Sequence, residues 1–114
     1  MRSFISLRPA SRFGSLYRSG TRRRFGAITV YHAVGQSTTP EVGVVAGKRV
    51  GNAVKRNRAK RRLRAAIHAA DLRQNTAYVV VASSGVLDAP FVELTNWLNR
   101  AVVGNDGITD KDEE

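Results

Sequence analysis

The 114-residue chain carries 19 Lys and Arg against 9 Asp and Glu, a net charge of +10, and no cysteine. That length suggests one domain with a modest core. The lack of thiols excludes disulfides and thiolate metal sites and fits a reducing, cytoplasmic setting, and no apolar run approaches the roughly 20 residues of a membrane-spanning helix. The charge is lopsided: residues 1–70 sum to +15 and residues 71–114 to −5. Such a face points to a polyanionic partner, nucleic acid before an anionic membrane surface.

The first segment, MRSFISLRPASRFGSLYRSGTRRRF, has the Arg- and Ser-rich, acid-free composition of an organelle transit peptide. A folded helix over about residues 9–19 explains the same letters. Pro9 suits its start, Phe13, Leu16 and Tyr17 share one face, and Gly20 can close it. Residues 25–34, FGAITVYHAV, alternate as a strand with Ile28, Val30 and Val34 on one face and Phe25, Thr29 and Tyr31 on the other. Gly35 to Pro40 reads as a turn, and Val42 to Ala46 as a second strand.

A helix is expected from about Asn52, a good N-cap, to Ala70. Ala59, Leu63, Ala66, Ile67 and Ala70 form its apolar stripe; Arg58, Arg61, Arg62 and Arg64 fall outside it. Arg56 projects near the centre of the stripe, where it must snorkel or find specific partners. Residues 77–83, AYVVVAS, read as a strand covered on both faces. A last helix is expected over Ala89 to Val103, with Asp88 as N-cap, Pro90 in its first turn, Phe91, Leu94, Leu98, Ala101 and Val102 buried, and Gly104 closing it. Residues 105–114, NDGITDKDEE, read as a polar acidic tail without fixed structure, outside a single domain at 1–104. The pattern predicts an α/β or α+β domain, a small sheet of three or four strands with helices packed on it.

A metal-dependent nuclease needs clustered carboxylates. The first 70 residues offer Glu41 alone, and His32 and His68 lack an obvious carboxylate partner. No phosphate loop, zinc spacing or nucleophile motif stands out. The chain is not expected to be a catalyst by itself. The segment Lys48 to Arg64, KRVGNAVKRNRAKRRLR, is different: nine of its seventeen residues are Lys or Arg and none is acidic. A helix meant only to be soluble mixes its signs and pairs them at i±4. These charges wait for an external polyanion, and the excess of Arg favours nucleic acid over lipid. Phe13 and Tyr17, one helical turn apart, and Tyr31 on its strand suit stacking of single-stranded bases; packing of the first helix on the sheet explains the first two equally well.

The run VGVVAGKRVGNAVKRNRAKRRLRAAI strongly resembles the protein subunit of bacterial ribonuclease P. Its core is Gly51-Asn52-Ala53-Val54, then Arg56-Asn57-Arg58, then Lys60-Arg61 and Arg64. FGSLYRSGT at Phe13 to Thr21 is similar to the family's first helix and following turn, and the likeness covers roughly residues 7–103. The resemblance implies a two-layer α+β sandwich with a small mixed sheet, α-β-β-β-α-β-α order and a left-handed βαβ crossover, a fold shared with a ribosomal protein domain. It implies a subunit that binds a catalytic RNA, which with Mg²⁺ removes the 5′ leader from precursor tRNA; no cofactor is implied for the protein alone. Carried over by position, Lys48, Arg49, Asn52, Arg56, Asn57, Arg58, Lys60, Arg61 and Arg64 face the catalytic RNA, and Phe13, Tyr17 and Tyr31 line a cleft for the single-stranded leader. The resemblance also accounts for the first helix, which weakens the transit-peptide reading. Arg22 to Arg24, a basic knot where a turn is expected, and the acidic tail depart from the family pattern. The alternative is a ribosomal or assembly protein that binds structured RNA without supporting catalysis.

Overall fold

The computed structural model describes residues 4–103. Its central strand is the one with the most apolar sequence. β5 (Thr76–Ala82) lies between β4 (Glu41–Ala46), its parallel neighbour, and β3 (Ile28–Val34), its antiparallel one. Ala77 and Val79 are buried on one side of β5, and Tyr78, Val80 and Ala82 on the other. A strand covered twice needs no polar face, so alternation disappears. β1 (Ile5–Ser6) adds to β4 in parallel, and β2 (Thr21–Phe25) adds to β3 antiparallel, giving the order β1-β4-β5-β3-β2.

α2 (Ala53–His68) connects the parallel strands β4 and β5, and α3 (Phe91–Val103) follows β5. Together they cover one face of the sheet. There Leu63, Ile67, Leu94 and Leu98 meet Ile28, Val30, Tyr78 and Val80 in the main core. α1 (Ser11–Ser19) covers part of the other face, where Leu16 packs on Ala77 and Val79. Apart from β1, the order is the expected α-β-β-β-α-β-α, and the sheet is mixed.

Five expectations need correction. The predicted strand over residues 25–34 is broken: Gly26 (φ +58) and Ala27 form a two-residue hairpin turn with glycine first, a geometry that matches strand twist. Phe25 therefore pairs with Ile28 and packs on the main core, not beside Thr29 and Tyr31. The basic knot Arg22 to Arg24 is not a turn but the middle of β2. Arg23 points inward and is 3% exposed, and its Nη1 donates to the Ala101 carbonyl in the last turn of α3, where a cation is favoured. In α3, Phe91 is exposed, whereas Trp97, not expected in the buried face, packs on the main core with its ring where a Cβ on Gly26 would be. Val34, placed with the inward residues, is 86% exposed at the end of β3. Asp88 closes the short 3-10 turn Ser84–Leu87, and α3 begins after Pro90. Gly104 and the acidic segment 105–114 lie outside the described residues.

Candidate nucleic-acid interface

The cationic surface starts where β4 ends. A 3-10 turn, Lys48–Val50, buries Val50 and leaves Lys48 and Arg49 exposed. Asn52 then caps α2, its Oδ1 accepting from the Lys55 N–H at 3.0 Å, as its residue type predicts. The buried stripe is Ala59, Leu63, Ala66 and Ile67, with Ala70 partly buried beyond the helix end. Asn57, Arg58, Arg61 and Arg64 are exposed and Lys60 is half-buried. Among the described residues none of these makes an ion pair. Arg56, the cation predicted near the stripe, is half-buried, and its Nη1 donates to the Gly51 carbonyl at 3.0 Å. Its guanidinium braces the loop that presents Lys48 and Arg49.

Arg62 departs from its neighbours. It is half-buried and grips three carbonyls: Nη1 donates to Val86 at 2.6 Å and Leu87 at 3.0 Å, and Nη2 to Ala89 at 2.6 Å. It fastens α2 to the segment leading into α3 and is committed to the fold.

On the opposite face α1 crosses the strands. At one end Arg12 makes a two-pronged ion pair with Glu41, with Nη1–Oε2 at 2.8 Å and Nη2–Oε1 at 3.0 Å; both side chains are largely buried. Phe13, next on the helix, fills the space over Gly43, where any Cβ would collide with its ring. At the other end the Tyr17 ring meets Tyr31 edge to face at 4.9 Å between centroids. The three predicted aromatics thus come together on one face, with unequal roles. Phe13 and Tyr31 are half-buried against Leu16, whereas Tyr17 is 42% exposed. Beside them Thr29, Val45 and Val81 are half-buried, and together these residues form an open trough along α1. Arg64 borders Phe13, Gly43 and Val44 at the β4 edge, so the cationic helix and the aromatic trough share a border.

The Arg12–Glu41 clamp escaped the sequence reading, although Glu41's standing as the single acid in the first 70 residues was its signal. Glu41 also accepts from the Gln36 N–H at 2.8 Å, and its bond to Arg12 holds its carboxyl below the ordinary value of 4.5. Its stabilisation is therefore complete above pH 4.5 and is lost as pH falls through the lowered folded value. Glu41→Gln is expected to cost about 3 kcal/mol at pH 7 by stranding Arg12. Urea denaturation should show the gap to wild type narrowing only below pH 4.5. A gap constant down to strongly acid pH contradicts this.

A small mixed sheet, an uncompensated cationic helix and an adjoining aromatic trough define a class of compact RNA-binding α/β proteins. The sequence model of the ribonuclease P family matches residues 1–104. The ribonuclease P protein component of Symbiobacterium thermophilum is 40% identical over 97 residues, covering 82% of this chain and 84% of that protein. That of Brucella melitensis biotype 1 is 39% identical over 103 residues, covering 87% and 72%. The ribonuclease P protein of Thermotoga maritima superposes with a TM-score of 0.77 at 17% identity, covering 90% of this chain and 98% of that one, which shows the shared fold. The chain belongs to the ribonuclease P protein family. It is accordingly a subunit of the endoribonuclease that processes the 5′ end of tRNA, a ribonucleoprotein in which it partners the ribonuclease P RNA.

Proposed function

We propose that the α2 surface docks on the catalytic RNA while the trough beside α1 takes the single-stranded leader of precursor tRNA. The observation that carries this reading is the exposed set Lys48, Arg49, Asn57, Arg58, Arg61 and Arg64, unpaired among the described residues and opposed by no acid on α2. Arg56 and Asn52 serve it indirectly, by bracing and capping the start of the helix. Phosphates supply the missing counter-charge, and Arg forks suit them. Tyr17 and Tyr31 offer ring surface to bases, and Phe13 mainly holds α1 in place.

Mg²⁺ serves the RNA in this reading. Among the described residues the acids do not gather to hold it: Glu41 is consumed by Arg12 and Gln36, and no three His, Cys, Asp or Glu come together. The protein acts by binding and positioning, and compartment follows from the partner: a cytoplasmic setting, where precursor tRNA is processed.

Tyr17 is the cleaner probe of the trough, because Tyr31 also packs against Leu16. Tyr17→Ala is expected to lower holoenzyme affinity for leader-bearing precursor by about 1–3 kcal/mol. It should leave mature tRNA binding and assembly with the catalytic RNA unchanged. The measurement is the dissociation constant for precursors of increasing leader length. If the variant gains as much from a longer leader as wild type does, the trough is not the leader site.

A further inference from the structure

We propose that Arg22 and Arg24 form a second phosphate-binding rail, on the far bank of the trough from α2, for single-stranded RNA crossing the sheet. The inference rests on the reading of the trough as the leader site.

Strand register carries it. Directly opposed residues in an antiparallel pair share a face. Arg22 opposes Tyr31 and Arg24 opposes Thr29, so both stand on the trough face, while Arg23 between them turns into the core. Arg22 and Arg24 are exposed. The rows continue across the sheet: Tyr31 lies beside Val79 and then Gly43, and Thr29 beside Val81 and then Val45. α1, nine residues and therefore about 13 Å long, covers the first row with Phe13 over Gly43 and Tyr17 against Tyr31. The second row, Thr29, Val81 and Val45, is only partly buried.

That row has cations at both ends. At the β4 edge stands Arg64, which borders Phe13, Gly43 and Val44, the chain neighbour of Val45. At the β2 edge stand Arg24 and Arg22. With strands about 4.8 Å apart, the backbones of Arg24 and Val45 are separated by about 14 Å. A floor this narrow, apolar at Val81 and Val45 with the small Thr29 beside them and flanked by Arg at each end, fits one unpaired strand with bases against the floor and phosphates on the rails.

A competing explanation is that Arg on an edge strand only prevents edge-to-edge pairing between molecules. The test is Arg22→Gln/Arg24→Gln in the reconstituted holoenzyme, with Arg22→Lys/Arg24→Lys retaining the charge. Affinities for long-leader precursor, short-leader precursor and mature tRNA are measured over a salt series. The expected result is a roughly 10-fold loss for the long leader alone, with the log affinity–log salt slope shallower by about 1.4, or about 0.7 for each single-strand phosphate. The Lys pair should restore the slope. An unchanged affinity and slope, whether or not the Gln pair self-associates, overturns the rail. Tyr17→Ala in the same assay separates the causes: if it loses the leader gain and the Gln pair does not, the rail alone fails; if neither loses it, the trough reading fails with it.

Discussion

Arg62→Ala should destabilise the fold by about 3–5 kcal/mol, while Arg61→Ala beside it should change stability by less than about 0.5 kcal/mol. Two adjacent arginines of one helix differ this much because of their surroundings. Arg62 donates three short bonds to the carbonyls of Val86, Leu87 and Ala89, and is half-buried while doing so. A bond to a charged group contributes about 1.5–3 kcal/mol, and carbonyls deprived of their donor are costly to leave behind. The segment these carbonyls belong to also carries Val86, which is fully buried, and leads into α3. A domain of this size has about 5–15 kcal/mol in total, so the loss would be a large share. Arg61 is exposed and holds no carbonyl. Equilibrium denaturation of both variants decides the matter. Equal effects would mean that the clasp does not hold in solution.

The opposite ranking is expected for RNA. Arg58→Ala/Arg61→Ala removes two exposed cations and should leave folding nearly intact, yet weaken assembly with the catalytic RNA whatever leader the substrate carries. If the wild-type surface neutralises about five to eight phosphates, log affinity falls with log salt at a slope of roughly −4 to −7. Losing two phosphate contacts should make that slope shallower by about 2 and cost about 10- to 100-fold in affinity at low salt. A wild-type slope near zero would refute the electrostatic account, and an unchanged slope in the double variant would exclude these two side chains from it.

The parts of the molecule read from sequence alone are those decided locally. Asn52 caps α2 because its side chain reaches an N–H three residues away. The buried stripe Ala59, Leu63, Ala66 and Ile67 follows from helical spacing. β5 was visible as an unbroken apolar run. The misses depend on partners distant in sequence. β2 was hidden because Arg22 and Arg24 face outward and the inward position holds Arg23, whose partner is the Ala101 carbonyl, 78 residues away. Trp97 joins the main core because Gly26, on another element, leaves room for its ring. Arg62 looked like its exposed neighbours, since nothing nearby marks the carbonyls 24 to 27 residues further on. The candidate site was more legible. Exposed cations declare themselves by type, and the resemblance placed the three aromatics on one cleft, which the structure gathers around α1. The placement of Arg22 and Arg24 on the α1 face of the sheet required the strand register.

The most direct measurement is single-turnover cleavage of precursor tRNA at low Mg²⁺ by the partner RNA alone, by rigorously RNA-free protein, and by the two together. The account predicts efficient removal of the leader by the combination, little by the RNA alone, and none by the protein alone. Robust cleavage by RNA-free protein, or no gain when the protein joins the RNA, would contradict it.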